Sequence, residues 1–226
     1  MQDYQPLDLS SWCNAGIEAL GEGSEAPVGL QSFRGLPFLI GGEAPRQDRC
    51  LIALDGSSSN VTIPVGGTAR NIIFAHRLLE SNLLEGGPVG NLVAEYVVHL
   101  SGGGEVRLPI RERLEIGVFP NKTTEAIGSV AQMGMPLLAL SDRKNTLQPR
   151  HEGSWGNAGW RLTELEFLNL PHGYSLWVWP NPRPDVAVES VEIIPGGQRF
   201  ILAAITLGHL DEHPFVRQGR REARIT

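Results

Sequence analysis

"LVAEYVVHLSGGGEVRLPI", residues 92–110, is the stretch of sequence that decides the fold. Apolar and polar residues alternate in both of its halves, and Gly102–Gly104 separate the two. Alternation with a period of two is typical of a half-buried strand, and two such runs joined by a glycine turn predict an antiparallel hairpin. Pro109 falls on the outward face, which indicates an edge strand or a bulge. The predicted inward residues are Leu92, Ala94, Tyr96, Val98 and Leu100 in the first strand and Val106, Leu108 and Ile110 in the second.

Short runs of the same kind recur along the chain between turn residues. A run at 199–207 is apolar on both faces, as expected of a strand between two layers. A change of phase within 188–194 predicts a bulge. About ten strands with regular turns predict an all-β chain, a β-sandwich or jelly roll. We expect one such domain over residues 1–208 and a tail or interdomain linker over 209–226. The other predicted strands are 36–41, 50–54, 61–65, 71–79, 162–170 and 174–179.

Composition and charge exclude several classes of partner. The chain has 226 residues, 41% of them hydrophobic, and a formal net charge of −6. A net negative charge does not favour binding to the negatively charged backbone of nucleic acid, so we do not expect nucleic acid as a partner. No apolar run approaches the roughly 20 residues of a membrane span. The first residues show no export signal. An extracellular or periplasmic location is expected only if the chain is excised from an exported multidomain protein.

Two cysteines, Cys13 and Cys50, are compatible with one disulfide or with two buried thiols. Their spacing does not decide between these alternatives, and we favour thiols.

Catalytic motifs are weak. "HLDEH", residues 209–213, fits the inverted zinc-peptidase pattern, which requires a helix. The segment instead follows an extended run and precedes Pro214, so we interpret it as a polar surface turn. Nucleophile elbows and phosphate-binding loops are also absent from the sequence. We therefore predict that the chain is not an enzyme.

The segment 141–160, "SDRKNTLQPRHEGSWGNAGW", favours ligand binding. Sugars present C–H faces that stack on aromatic rings and hydroxyl groups that bind planar polar side chains. Sandwich domains also commonly carry their ligand-binding residues in long loops. The alternative is that both tryptophan rings of the segment fold inward and cap the core. The predicted sugar contacts are Arg143, Asn145, His151, Trp155 and Trp160.

"WVWPNPRPD", residues 177–185, places two tryptophans on one face of a strand before a run of prolines. The rings could form a ligand platform or fill the core. Burial of each ring removes on the order of 200 Å² from water, which favours the core. The prolines then form a rigid corner, at which Asn181 is expected to bond to local backbone groups.

The order of motifs "PLDLSSWCNAGI", "FRGLPFLIG", "IIFAHRLL", "GNLVAEYVVHLSGGGEVRLPIRERLEIGV" and "WPNPRPDVAVESVEI" resembles galactose-binding-like jelly-roll modules. Such modules accompany catalytic domains in bacterial glycoside hydrolases and in CehA-like metal-dependent phosphoesterases. The resemblance covers roughly residues 5–207. It implies that most of the matching positions determine the fold and do not contact a ligand. The matching positions are Leu36, Pro37, Phe38, His76, Tyr96, Trp179, Asn181, Pro182, Pro184 and Asp185.

The resemblance also sets limits on function. The phosphoesterases carry a metal-binding domain rich in H-x-H, and this sequence contains no H-x-H, so their hydrolase activity is not carried over. Modules of this fold often hold a structural calcium near the first strands, where Asp8, Asn14 and Glu18 could serve with backbone carbonyls.

The expected function is therefore a non-catalytic carbohydrate-binding module. The alternative is a structural or interaction domain that contacts an adjacent catalytic domain or a second copy of the chain without a sugar ligand.

Overall fold

The computed structural model describes residues 3–21, 26–118, 137–139 and 173–215. These residues form twelve strands and three short 3-10 helices, at Ser10–Trp12, Ile17–Leu20 and Leu83–Glu85. No helix in the described part of the chain is long and apolar enough to cross a membrane. The strands are β1 (Tyr4–Pro6), β2 (Gly29–Phe33), β3 (Leu36–Ile40), β4 (Ile52–Leu54), β5 (Val61–Gly67), β6 (Asn71–Leu78), β7 (Leu92–Leu100), β8 (Gly104–Arg111), β9 (Leu137–Leu138), β10 (Ser175–Pro180), β11 (Val188–Pro195) and β12 (Phe200–Gly208).

The strands form two antiparallel sheets and a separate hairpin. The six-stranded sheet has the order β1-β12-β6-β10-β9, and β4 pairs with β12 beside β1. The four-stranded sheet has the order β5-β11-β7-β8, and β2 pairs with β3. The prediction of an all-β chain with antiparallel sheets is confirmed.

The main core lies between the two sheets. Ile72 and Phe74 of β6 join Tyr96 and Val98 of β7 in one buried cluster. Ile73, the intervening residue of β6, joins a second cluster with the β2–β3 hairpin. Because successive side chains of a strand point to opposite faces, β6 is covered on both sides, by the four-stranded sheet and by the hairpin. All eight residues of β6 and all nine of β12 are buried. This confirms the prediction of a strand between two layers for the run at 199–207, which β12 covers, whereas burial of both faces of β6 was not predicted.

The hairpin at 92–110 forms as predicted. Strands β7 and β8 pair antiparallel, with Tyr96 opposite Leu108. Pro109 is exposed, and β8 is an edge strand. The prediction for Leu92 is wrong, because this side chain is 50% exposed. The pairing of β7 with β8 shifts between Leu92 and Ala94, and such a shift turns the first side chain away from the inward face.

Two other predictions about strands have clear outcomes. The bulge in 188–194 is present, because the pairing of β11 shifts between Val188 and Ser190. The strand predicted at 50–54 is shorter, since β4 begins at Ile52. The strand predicted at 162–170 lies outside the described residues.

The two tryptophans of β10 belong to the core. Trp179 is 7% exposed, and Trp177 stacks on Phe74 with ring centroids 5.6 Å apart. The proline corner follows directly. Asn181 is buried, donates to Ala69 O (2.9 Å) and accepts from Arg183 N (2.9 Å), as expected of a residue that satisfies local backbone groups.

Both cysteines are buried and free, in agreement with the preference for thiols. Burial raises the pKa of Cys13 and of Cys50 to about 11, so both remain protonated at neutral pH.

Candidate functional site

One end of the sandwich collects four connections between strands. These are residues 55–60, 79–91 and 196–199 and the described part, 112–118, of the connection after β8, and we call this end the Gln198 end. Backbone hydrogen bonds hold the connections together, for example from Leu79 N to Arg199 O (2.9 Å). The end is therefore a preformed surface rather than a set of independent loops.

Planar polar side chains meet at the centre of the Gln198 end. Asn91 Nδ2 donates to Gln198 Oε1 (3.0 Å), and Gln198 Nε2 donates to Glu112 Oε2 (3.3 Å). Gln198 Nε2 also lies 3.5 Å from the backbone oxygen of Glu80. Amide and carboxylate groups of this kind are the usual partners of sugar hydroxyl groups, which both donate and accept hydrogen bonds.

Glu112 is the most unusual member of this group. Its side chain is fully buried, although it carries a carboxylate. Oε2 accepts the amide of Gln198, whereas Oε1 has no hydrogen-bond partner within the described ranges. Buried polar atoms are nearly always paired in folded proteins, so an unpaired carboxylate oxygen is a notable feature.

The turn that carries Glu112 is anchored to the sandwich by Glu115. The Glu115 carboxylate accepts three hydrogen bonds from Arg111: from its backbone N (2.8 Å), Nε (3.1 Å) and Nη2 (2.7 Å). The carbonyl of Glu115 lies 2.8 Å from Nε2 of the buried His76. Because a carbonyl only accepts, Nε2 carries the proton and Nδ1 accepts the hydroxyl of Tyr96 (3.0 Å). Burial lowers the pKa of His76 to about 4, so the ring is neutral at physiological pH.

The long connection between β9 and β10 begins and ends near the Gln198 end. Ala139 N donates to Tyr174 O (2.9 Å), and Ser175, at the start of β10, accepts the backbone N of Gly117 (2.8 Å) through Oγ. Gly117 belongs to the 112–118 connection. The predicted sugar contacts within this connection lie outside the described residues, and they stay predictions. They are Arg143, Asn145, His151, Trp155 and Trp160.

The residues considered for calcium all contact backbone groups. Asp8 Oδ1 accepts Ser10 N (2.9 Å), and Glu18 Oε1 accepts Gly16 N (3.1 Å). The Asn14 amide bonds to both N (2.7 Å) and O (2.9 Å) of Ala53. No group of three or more His, Cys, Asp or Glu side chains suited to a metal occurs in the part of the chain that the structure describes.

The outer face of the four-stranded sheet carries a second polar network. Glu192 accepts Asn60 Nδ2 (2.7 Å) and lies 3.1 Å from His99 Nε2. These two hydrogen bonds lower the pKa of Glu192. Beside them Arg107 pairs with Glu95 (2.7 Å). The side chains of this network pair with one another across neighbouring strands. We therefore interpret the network as the solvent-exposed face of the sheet and not as a binding site.

The "HLDEH" segment is a turn, as predicted. It follows β12 without a helix, Tyr4 Oη donates to Glu212 Oε1 (2.8 Å), and Asn71 Nδ2 donates to Glu212 O (3.2 Å). These contacts fix the segment against the end of the sheet opposite to Gln198.

The sequence did not reveal the polar group at the Gln198 end. Asn91, Glu112 and Gln198 come from three separate connections, and each looks like an ordinary turn residue in the sequence. Only strand pairing brings them together, and we find no local signal that marks them.

Comparison with protein-family models, with curated proteins and with solved structures gave no match to this chain.

Proposed function

We propose that this chain is a non-catalytic carbohydrate-binding module of the galactose-binding-like jelly-roll type, with its sugar site at the Gln198 end. The observation that supports the proposal most is that two groups of residues suited to sugar binding lie at the same end of the protein. The 140–172 connection, whose sequence is rich in Trp, Arg, Asn and His, starts and finishes next to the Gln198 end, where Ala139 and Tyr174 are bonded to each other.

The two parts supply complementary chemistry. The Gln198 end offers planar amides held in place by neighbouring strands, and Asn91 and Gln198 are both partly exposed. The connection offers aromatic rings, of which Trp155 and Trp160 are the proposed stacking residues. Groups that are already oriented lose little side-chain freedom on binding, which favours a polar ligand.

Binding at one such site is expected to be weak. Each stacked ring contributes roughly 0.5–1.5 kcal/mol beyond its buried area, and a handful of hydrogen bonds to hydroxyl groups adds a similar amount. Together with the apolar area that each ring buries, these contacts are expected to give dissociation constants between about 1 μM and 1 mM, as suits an accessory domain that works beside a catalytic domain.

A glycan array followed by calorimetry tests the proposal. Wild type should bind at least one glycan, and Trp155→Ala and Gln198→Ala should each weaken that binding about tenfold or more. Glu105→Gln is the matched control, since Glu105 is exposed at the opposite end of β8 and bonds to Arg107. Absence of binding by wild type, or equal affinity of all four proteins, would reject the proposal.

An interaction domain is the second candidate, and exposed apolar residues favour it. Val89 is 69% exposed, Leu92 50% and Leu114 46%. Leu92 pairs with Arg111 at the end of β8, and Leu114 follows in the next turn. A group of exposed apolar side chains can mark a contact with another domain or with a second copy.

Light scattering separates the two candidates. An interaction domain should associate with itself, or with an adjacent domain, and Leu92→Ser with Leu114→Ser should abolish that association. A sugar-binding module should remain monomeric in the same assay and bind glycan, whereas an interaction domain should bind none.

A further inference from the structure

The four-stranded sheet ends in two edge strands, β5 and β8. In the described part of the chain β5 pairs with β11 alone and β8 with β7 alone. The outer side of an edge strand presents a row of backbone N–H and C=O groups, and these groups can pair with a strand from another chain. An edge of this kind is a potential site of association with a second copy or with an extended peptide.

Each of these two edge strands contains a proline. Pro64 lies within β5 and Pro109 within β8, and both side chains are exposed. The pairing with the inner strand continues on both sides of each proline, where Pro64 lies opposite Ser190 and Pro109 opposite Glu95. A proline has no N–H, and within a sheet it is tolerated where that N–H would point away from the neighbouring strand. The missing donor of each proline therefore belongs to the outer side of its strand.

A bulge adds to the effect of Pro64 in β5. Pro64 pairs with Ser190 and Gly67 with Val188, so the register shifts directly after the proline. Gly66, within the shifted segment, has a left-handed φ of 68°. A bulge bends a strand and increases its twist, so a straight partner strand can follow such an edge only over a short length. This leaves only the first half of β5 as a regular edge.

Pro109 interrupts the edge of β8 in its second half. Alternate residues of a strand direct their backbone groups to the same side, so Pro109 shares the outer side with Glu105, Arg107 and Arg111. The row of donors on this side therefore has a gap between Arg107 and Arg111. An antiparallel partner strand would meet a missing hydrogen bond and the ring of the proline at that gap. Two copies of β8 would meet it twice, because each copy contributes its own Pro109.

We propose that Pro64 and Pro109 close both edges of the four-stranded sheet to strand addition. The protein then does not join a second copy, or an extended peptide, through the backbone of β5 or β8. An interaction domain would have to use side chains instead, such as the exposed Leu92 and Leu114. The inference does not depend on sugar binding, because it concerns the edges of the sheet and not the polar group at the Gln198 end.

A double variant, Pro64→Thr with Pro109→Thr, tests the proposal in the full chain. Threonine restores the N–H, has a high strand propensity and adds a polar rather than an apolar side chain to the surface. Light scattering over a dilution series should show that the variant associates at concentrations about tenfold or more below any at which wild type associates. Pro88→Thr is the matched control and should behave as wild type does, since Pro88 is exposed in the 79–91 connection outside the sheets.

Hydrogen exchange locates the contact in the same samples. The backbone N–H groups of Thr62 and Arg107 lie on the outer sides of β5 and β8, two residues before each proline. In the associated variant these N–H groups should exchange more slowly than in the dilute variant, because a partner strand protects them.

Three results would overturn the proposal. The first is a double variant that associates no more than wild type, and the second is equal association of Pro88→Thr. The third is association without slower exchange in either edge strand, because the contact would then lie elsewhere on the protein. If the double variant does not fold, each single variant is judged by the same criteria.

Discussion

At the scale of single residues, the contact between Tyr96 and His76 joins the two layers of the protein. Tyr96 belongs to the four-stranded sheet and His76 to the six-stranded sheet, and both are fully buried. The hydroxyl of Tyr96 satisfies Nδ1 of the neutral ring, and the ring satisfies the carbonyl of Glu115. One polar chain therefore crosses the core and reaches the turn that carries Glu112.

Two buried tyrosines provide a matched pair of variants. Tyr96→Phe should lower the free energy of unfolding by about 1–3 kcal/mol, because it leaves Nδ1 of His76 buried without a donor. Tyr174→Phe should leave stability unchanged or raise it by about 1 kcal/mol, because the hydroxyl of Tyr174 is buried without a hydrogen-bond partner among the described residues. Chemical denaturation measures both. Equal losses in the two variants would contradict the assigned hydrogen bond.

The buried His76 should make stability depend on pH. Burial lowers its pKa from 6.5 to about 4. Between these values the unfolded chain binds a proton that the folded protein does not, so the free energy of unfolding falls as pH decreases from about 6.5 to about 4. The loss from this one group is up to roughly 3 kcal/mol, and it is absent above pH 7.

Denaturation of wild type and of His76→Gln at several pH values measures this contribution. The variant should be less stable at pH 7, and its stability should decline less than that of wild type between pH 6.5 and pH 4. Parallel curves for the two proteins would show that His76 does not titrate as its burial requires.

At the scale of elements, the proline corner after β10 depends on Asn181. Its side chain bonds to Ala69 O and to Arg183 N, and it is buried. Asn181→Ala should therefore cost about 1–3 kcal/mol. Asn60→Ala is the control, since Asn60 is exposed and its removal should change stability by no more than about 0.5 kcal/mol. Thermal or chemical unfolding of both proteins checks the difference, and equal stability would show that the prolines hold the corner by themselves.

The strands were predictable where their pattern is local. Alternation and a glycine turn were sufficient for β7 and β8, and the phase change within β11 revealed its bulge. The outward turn of Leu92 was not predictable, because it depends on a shift in pairing with β8. The length of β4 was not predictable for a similar reason. It is set by pairing with three residues of β12 and not by the sequence of β4 itself.

The candidate site was less accessible to sequence analysis than the fold. The aromatic and planar polar residues that indicate sugar binding in the sequence lie in 141–160, outside the described residues. Nothing in the sequence around Glu112 indicates that it is buried, because "RERLE", residues 111–115, has the composition of an ordinary exposed turn. Its burial follows from the packing of connections that lie far apart in the chain, and no local pattern encodes that packing.

At the scale of the whole molecule, three layers explain the composition of the chain. The four-stranded sheet covers one face of the six-stranded sheet, and the β2–β3 hairpin covers part of the other. The central strands β6 and β12 are consequently apolar on both faces. The outer face of the four-stranded sheet carries the charged network of Glu95, Arg107 and Glu192. Such a frame fixes the connections at its ends, and one of these ends is the site that we propose for sugar binding.

The claim on which the rest depends is that the two sheets face each other across the Tyr96–Phe74 contact. Their ring centroids are 4.9 Å apart, although the residues belong to different sheets. A nuclear Overhauser spectrum of labelled protein measures this contact directly. The account predicts strong cross-peaks between the ring protons of Tyr96 and Phe74. Their absence, with both rings assigned, would contradict the facing sheets and the Gln198 end built on them.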